Sequence, residues 1–395
     1  MRTAKEALLI SGLIITIIFL TSSCGSNPGK QSSVATSEDV EVISIADIKV
    51  SKLSDVIDHI TYTALKDHPD HRAYRIDKVL IEDGLVYIFD YYSGRSLSVY
   101  DLKGNFQFAI TKPGEGPDQY LEVQDFLVNK GKIEVLDAYG KLIFYNNQGA
   151  FIKSEKLPFL TQAFSKSGDE YFFQTGKLVN ELGENGRSCE LVQYDLETTE
   201  LDCVLEINNG RNPHSFKERN ILKNIDGKSY YSTYFNDTIY RKQGEKFIPE
   251  LILNFSSNAL PTESVDSKRS ISDFTGALKD KTYHNPALQG SSDFLITRFK
   301  GSGNNHLIYN SQEGKSSIIK STAKNDIDGG IPLYWVHSVN NRDLIMIYDS
   351  ENVLKRASEL QEGKSQFNEK EQAFLDFANE FNPDDPLVMI SYHIK

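Results

Sequence analysis

Along most of the chain, short apolar runs alternate with turns rich in Asp, Asn, Gly and Ser. The pattern is clearest between Val79 and Leu157, where one unit is written twice. The first copy, VLIEDGLVYIFDYYSGRSLSVYDLKGNFQFAI, spans Val79 to Ile110, and the second, FLVNKGKIEVLDAYGKLIFYNNQGAFIKSEKL, spans Phe126 to Leu157. Val79 and Phe126 stand 47 residues apart, as do Asp90 and Asp137. After a two-residue deletion, Tyr100 and Tyr145 stand 45 apart, as do Gly104 and Gly149. A repeat of about 40–50 residues built from short strands marks a β-propeller blade.

Each copy parses into four strands joined by polar turns. In the first these are Val79–Ile81, Leu85–Phe89, Leu97–Tyr100 and Phe106–Ile110. In the second they are Phe126–Val128, Ile133–Leu136, Leu142–Tyr145 and Phe151–Lys153. The turn Glu82-Asp83-Gly84 supplies glycine where positive φ is needed.

Later copies are degenerate. The third holds Ala163–Ser165, Glu170–Gln174, Leu191–Asp195 and Leu201–Ile207, interrupted by an excursion from Thr175 to Arg187. The fourth runs from Ile221 to Phe255, with strands Ser229–Tyr234 and Thr238–Arg241 around a turn at Asn236-Asp237. Leu260 to Asn285 is polar and reads as an inserted loop with a short helix. The fifth holds Phe294–Phe299 and His306–Asn310, and the sixth Tyr334–Val339 and Leu344–Tyr348. Phe374, Phe377, Ala378 and Phe381 then share one helical face, and Asn382-Pro383 ends that helix. Leu387–Ile394 is a terminal strand. The fold expected for residues 40–395 is all-β, a six-bladed β-propeller of four-stranded blades with one short C-terminal helix. Pairing of an N-terminal strand, Ile60–Leu65, with Leu387–Ile394 closes the ring and buries its open edges.

The first residues read differently. Arg2 and Lys5 precede an apolar run from Leu8 to Leu20, too short to span a bilayer comfortably. Thr21-Ser22-Ser23-Cys24 follows, so residues 1–23 resemble a bacterial lipoprotein signal that leaves Cys24 as the lipid attachment residue. Residues 24–39 are rich in Ser, Gly and Asn and read as a flexible tether. The formal charge of −12 becomes −13 without residues 1–23, which argues against nucleic-acid binding. The 22 Phe and 20 Tyr suit stacked strands. Cys189 and Cys203 flank one predicted hairpin. The turn Leu196-Glu197-Thr198-Thr199 favours a register about three residues away from the one that would pair them, so two buried free thiols are expected rather than a disulfide.

Propeller geometry gathers the ends of second strands and the blade-to-blade loops on one face around the central channel, the default binding site. Asp90, Tyr91, Arg95, Asp137, Tyr139, Lys141 and Asp237 belong there. So do Glu115 and Tyr120 of the loop Gly114–Tyr120, and residues 211–219. Asp90 and Asp137 fit ligand or cation contacts; they also fit the commoner role of an aspartate capping its own turn. Glu115 reads as a ligand carboxylate or as part of a loop shaped by Gly114 and Gly116. There is no G-x-S-x-G, H-E-x-x-H, P-loop or EF-hand motif. The histidines lack metal-ligand spacing, and the closest cluster, His68 and His71, reads as solvated.

Three motifs carry a family resemblance over nearly the whole mature chain. They are Gly114-Glu115-Gly116-Pro117-Asp118-Gln119-Tyr120, Asn236-Asp237-Thr238-Ile239-Tyr240 and Asp384-Asp385-Pro386-Leu387-Val388. With the Cys24 signal, these resemble the six-bladed, TolB/NHL-like propeller lipoproteins of Bacteroidetes. Here Asp118-Gln119 replaces a usual Gly-Glu, and Asp385 a usual Asn. Asp237-Thr238-Ile239 also resembles the O-glycosylation sequon of Bacteroidetes envelope proteins, which would place a glycan on Thr238. The resemblance speaks to the fold and not to the activity; many face loops and no catalytic constellation lead to the expectation of a monomeric, outer-membrane-anchored binding or scaffold module for a peptide, protein or glycan, touching the membrane only through its lipid and using no cofactor. The alternative is a metal-assisted propeller hydrolase or lyase with a divalent cation in the channel, for which His337, Glu115, Asp90 and Asp137 are the candidates. Gly25-Ser26-Asn27-Pro28 lacks the acidic run of surface-exported lipoproteins and favours the periplasmic face.

Overall fold

A computed structural model describes residues 40–395, apart from 69–70, 72, 74, 176–179, 181, 183–188, 207–219 and 262–269. Cys24, with the rest of residues 1–39, read above as leader and tether, lies outside the described residues, as do residues 211–219. Strand β1 (Glu41–Ser44) and the one-turn helix α1 (Leu53–Val56) precede β2 (Ile57–Leu65). Blade one is β3 (Lys78–Glu82), β4 (Leu85–Asp90), β5 (Ser96–Asp101) and β6 (Phe106–Ile110). Blade two is β7 (Val123–Asn129), β8 (Lys132–Asp137), β9 (Lys141–Asn146) and β10 (Phe151–Lys156). Blade three is β11 (Ala163–Ser167), β12 (Glu170–Gln174), β13 (Cys189–Tyr194) and β14 (Leu201–Glu206). Blade four is β15 (Leu222–Ile225), β16 (Lys228–Tyr231), β17 (Thr238–Gln243) and β18 (Lys246–Asn254). The inserted segment then holds α2 (Ile271–Ala277) and β19 (Tyr283–His284). Blade five follows with β20 (Gln289–Gly290), β21 (Phe294–Lys300), β22 (Asn304–Asn310) and β23 (Lys315–Lys320). Blade six has β24 (Ser338–Asn340) and β25 (Asp343–Asp349), then helices α3 (Ser350–Glu362) and α4 (Glu369–Glu380), then β26 (Leu387–Ile394).

The sequence of turns dictates the blades. Asp83-Gly84, Lys130-Gly131 and Asp226-Gly227 all have positive φ at both residues (51° and 74°, 50° and 71°, 49° and 75°). Such two-residue turns twist in the sense of the strands they join, so each folds the innermost strand straight back on its neighbour. The strands between are apolar on both faces. In β4, Val86 and Ile88 enter the cluster shared with blade six, while Tyr87 and Phe89 enter the one shared with blade two. A strand buried on both faces reads as an unbroken apolar run, which is why VYIF does not alternate. The core is accordingly six separate clusters, one at each blade junction. Each fully buried Phe or Ile in them contributes about 1.5–3 kcal/mol.

Innermost strands β3, β7, β11, β15, β20 and β24 touch in that cyclic order, so the ring is closed. The sixth blade runs β24-β25-β26-β2 outward, so the closing strand comes from the N-terminal side, as expected. It starts three residues earlier than the predicted strand, at Ile57. The residues before it form an outer belt. Strand β1 pairs in parallel with β18 of blade four, Val50 bridges Ile318 of blade five, and β2 pairs antiparallel with β26 of blade six.

Three expectations are corrected. Residues Tyr334–Val336 are not strand; Leu333 and Val336 pack into the junction of blades five and six without pairing, and β24 starts at Ser338. Two helices, not one, separate β25 from β26. Asp349 caps the first by accepting the Asn352 N–H at 3.2 Å, and Val353 and Ala357 bury its narrow apolar stripe beside Phe374, Leu375 and Ala378 of α4. Finally, Cys189 and Cys203 are joined as a disulfide. Cys203 does lie opposite Val192, three residues from Cys189. The β13–β14 pairing is irregular between Cys189 and Val192, one shift offsetting the other, and the two cysteine Cα atoms stand 5.8 Å apart, within the span a disulfide bridges.

Candidate functional site: the central channel

The innermost strands run from one end of the channel, bordered by blade-to-blade loops, to the other, bordered by the tight hairpin turns. The residues singled out from sequence cluster at the loop end, and most of them fasten backbone there. Asp90 is fully buried and accepts the N–H groups of Ser93 at 2.8 Å and Arg75 at 3.1 Å. Asp137 does the same for Tyr139 at 2.7 Å and Leu121 at 2.6 Å. Each thus ties the turn after its own strand to the segment entering its blade. Tyr91 is buried and donates its N–H to Asp77.

The loop Gly114–Tyr120 is folded around its own side chains. Gln119 accepts the Gly116 N–H at 2.8 Å and fills the space beside Gly114, where an added Cβ would lie 2.3 Å from Gln119 Oε1. Buried Tyr120 donates to the carbonyls of Arg95 and Ile110 at 2.8 and 3.1 Å, and burial pushes its hydroxyl up to about 12. Lys141 donates to Gly116 O at 2.9 Å. Glu115, Arg95 and Tyr139 remain exposed. Thr238 is half-buried at the start of β17 and Asp237 is half-buried beside it, its carbonyl accepting the Leu253 N–H at 2.8 Å. His337 Nδ1 accepts the Ile347 N–H at 3.1 Å. Among the described residues no three His, Cys, Asp or Glu side chains converge as a metal site, so Asp90, Glu115, Asp137 and His337 do not form one.

Sequence reasoning missed a second group at this end. His284, His306 and His337 surround Arg298, whose guanidinium lies 4.0 Å from the centre of the exposed Trp335 ring. Burial, then the Arg298 charge, lowers His306 and His337 to about 4. His284 is also lowered to about 4, chiefly by burial, and its ring bridges Asn236 O and Thr297 Oγ1 at 2.7 Å each.

The other end of the channel holds a cavity of about 350 Å³, to which all six blades contribute through Leu80, Leu127, Ser165, Lys223, Gly290 and Ser338. Its polar floor is an ion pair. Lys78 Nζ lies 2.7 Å from Asp125 Oδ1 and 2.9 Å from Phe126 O, with both side chains essentially out of water. Asp125 also accepts the Phe164 N–H at 3.2 Å, so one carboxylate joins the innermost strands of blades one, two and three. Lys166 is likewise partnered, 3.6 Å from Glu134 and donating to Tyr171 Oη at 2.9 Å. Lys223 differs. It is half-buried on β15, and among the described residues no hydrogen bond or ion pair reaches its amine. Desolvation, reinforced by the Lys78 charge, lowers that amine to about 7, while Asp125 and Glu82 pull the other way. Burial raises the Glu82 carboxyl at the mouth. One signal for this site was in the sequence. Lys78 and Asp125 are 47 residues apart, one repeat, and each stands immediately before the apolar run of an innermost strand.

A closed six-bladed propeller with a lysine-lined channel is thus the class of protein. The chain belongs to the family described as Domain of unknown function (DUF4934), whose pattern matches residues 40–391. It is similar in structure to a protein of Bacteroides fragilis described as a "Putative exported protein". The TM-score is 0.71 at 14% identity, over 90% of this chain and 99% of that one. Weaker likenesses, from which nothing is drawn, are BamB from Moraxella catarrhalis and the Pan2 WD40 domain of Neurospora crassa. BamB matches with TM-score 0.38 at 10% identity over 73% of this chain and 72% of that one. Pan2 matches with TM-score 0.36 at 13% identity over 65% of this chain and 70% of that one. No curated protein matches the chain.

Proposed function

We propose that this protein is a binding or scaffold propeller of the cell envelope. It is a monomer held to the periplasmic face of the outer membrane by lipid on Cys24, and it takes a peptide, protein or glycan in its central channel. The observation that carries the reading is the cavity at the hairpin end, which residues of all six blades line and where a lysine amine has no partner among the described residues. A rigid ring that leaves a desolvated, unpartnered polar group in a concave site is built to receive a ligand. The leader pattern and the exported description of the similar Bacteroides fragilis structure support the location.

Capture from envelope extract tests the reading. Wild type is compared with Lys223→Trp, which fills the channel without breaking a hydrogen bond, and with Glu115→Ala/Tyr139→Ala, which alters the exposed loop end. A partner lost only with Lys223→Trp places recognition in the channel. A partner lost only with the second variant moves it to the loops. Equal capture by all three rejects a channel site.

A further inference from the structure

The channel runs against the charge of the molecule that contains it. The chain carries a formal −12, yet the cavity is lined by four lysines (Lys78, Lys130, Lys166, Lys223) and two carboxylates (Glu82, Asp226). Two of the lysines, Lys78 and Lys166, have acidic partners in Asp125 and Glu134. Lys223 has none among the described residues, and it lies at the depth of Leu80, Leu127, Ser165 and Ser338 in the strand register. An ammonium in such a place is undersolvated, and an arriving anion would replace the water it has lost.

We propose that the channel recognises a carboxylate: an organic monoanion with an apolar body enters at the hairpin end and sets its carboxylate against Lys223. This rests on the channel reading above and names the ligand's chemistry. Three features select that class. Among the described residues one cavity cation is both half-buried and unpartnered, Lys130 being exposed at the hairpin turn, and it is a lysine, a point charge rather than the planar fork that grips phosphate bidentately. Glu82 and Asp226 at the mouth repel dianions. The wall mixes apolar side chains, Leu80, Leu127, Val128, Ile225 and Val339, with polar ones, among them the small hydroxyls of Ser165 and Ser338 that can hydrogen-bond a second carboxylate oxygen. Such a carboxylate has two sources, a free organic acid or the C-terminus of a peptide.

The test uses the full chain in detergent, with hexanoate and its neutral counterpart hexanamide as probes, read by ligand-observed NMR and calorimetry. Hexanoate is expected to bind at least ten-fold more tightly than hexanamide. Lys223→Met should bring hexanoate down to the amide's level, and Lys223→Arg should keep the preference. Bound hexanoate should also slow modification of Lys223 by trinitrobenzenesulfonate, followed by peptide mass. An acetylated pentapeptide ending in leucine, as free acid and as amide, separates the sources: a free-acid preference larger than hexanoate's points to peptide C-termini, and a smaller one to small acids. Equal binding of hexanoate and hexanamide, or hexanoate binding untouched by Lys223→Met, overturns the proposal while leaving a channel site intact. No binding of any acid probe to wild type also overturns it. Should Lys223→Met fail to fold, the acid–amide comparison on wild type still decides.

Discussion

The Lys78–Asp125 pair makes a quantitative demand on the fold. Its two side chains are 3% and 0% exposed, and the ammonium has one further acceptor, Phe126 O at 2.9 Å. Lys78→Met leaves the Asp125 carboxylate in the same dry place, still holding the Phe126 and Phe164 N–H groups but without the ammonium that pairs with it. Removing one member of a buried pair costs about 3–5 kcal/mol, because the survivor keeps its desolvation penalty. Asp125→Leu should cost at least as much, since it also strips two buried N–H groups of their acceptor at about 1–3 kcal/mol each. Lys78→Met/Asp125→Leu together should cost less than the sum of the singles, with a coupling of about 2–3 kcal/mol. Urea unfolding followed by far-ultraviolet circular dichroism measures all four proteins. Repeating the series in 0.5 M salt should leave the coupling unchanged, because a pair out of water is barely screened. A Lys78→Met cost below about 1 kcal/mol, or singles that simply add, would show that this pair does not bind the three blades electrostatically.

Other outcomes follow from the same chemistry. The Cys189–Cys203 link closes a span of 14 residues, so its reduction should lower the unfolding free energy by about 3 kcal/mol; a urea midpoint indifferent to dithiothreitol would contradict this. Asp137→Ala should cost about 1.5–3 kcal/mol and speed hydrogen exchange at Tyr139 and Leu121, whose N–H groups it accepts. His284, His306 and His337 are lowered from 6.5 to about 4, so the unfolded chain takes up protons in that window and the folded one does not. Stability is therefore greatest above pH 6.5 and falls toward pH 4, by about 1.4 kcal/mol per pH unit for each histidine. Buried Glu134 and Asp328, whose carboxyls burial raises, act in the opposite sense. Unfolding free energies at pH 7.5 and 5, with His306→Gln flattening the slope, check the sign.

Blades one and two were readable because two signals coincide in them. Positive-φ turns such as Asp83-Gly84 fix where strands end, and burial on both faces makes each strand an apolar run. Elsewhere one signal is missing. The innermost strand of blade five is only Gln289–Gly290, too short for any pattern. Leu333 and Val336 are apolar because they fill a junction, and burial without pairing looks like strand in a sequence. Helix α3 hides because most of SENVLKRASELQE faces water. The disulfide joins two residues three positions out of register, which no residue type announces. For the site, sequence pointed to Asp90 and Asp137 at the ends of β4 and β8, but an aspartate holding backbone and an aspartate awaiting a ligand are spelled alike. The charges of the channel stood in plain view on the innermost strands. Whether such a charge meets a partner, as Lys78 does, or open space, as Lys223 does, is decided only when six strands close into a ring.

The belt has a consequence for the order of events during synthesis. Thr61 and His393 meet side by side in blade six but are 332 residues apart in the chain. Strand β2 emerges early and must wait for nearly everything else to be made. The landing sites of the belt, β1 on blade four, Val50 on blade five and β2 on blade six, all lie in the second half of the chain, so the ring forms around an arm that stays loose until the end. Lone strands of this kind invite pairing with other chains. The wait is made safer by composition: in IDHITYTAL, Asp58, His59 and Thr61 face water even in the finished molecule, leaving a strand too polar to be an attractive template for a stranger. The earliest segment of the propeller is thereby also its clasp, fastened once, after the last strand arrives.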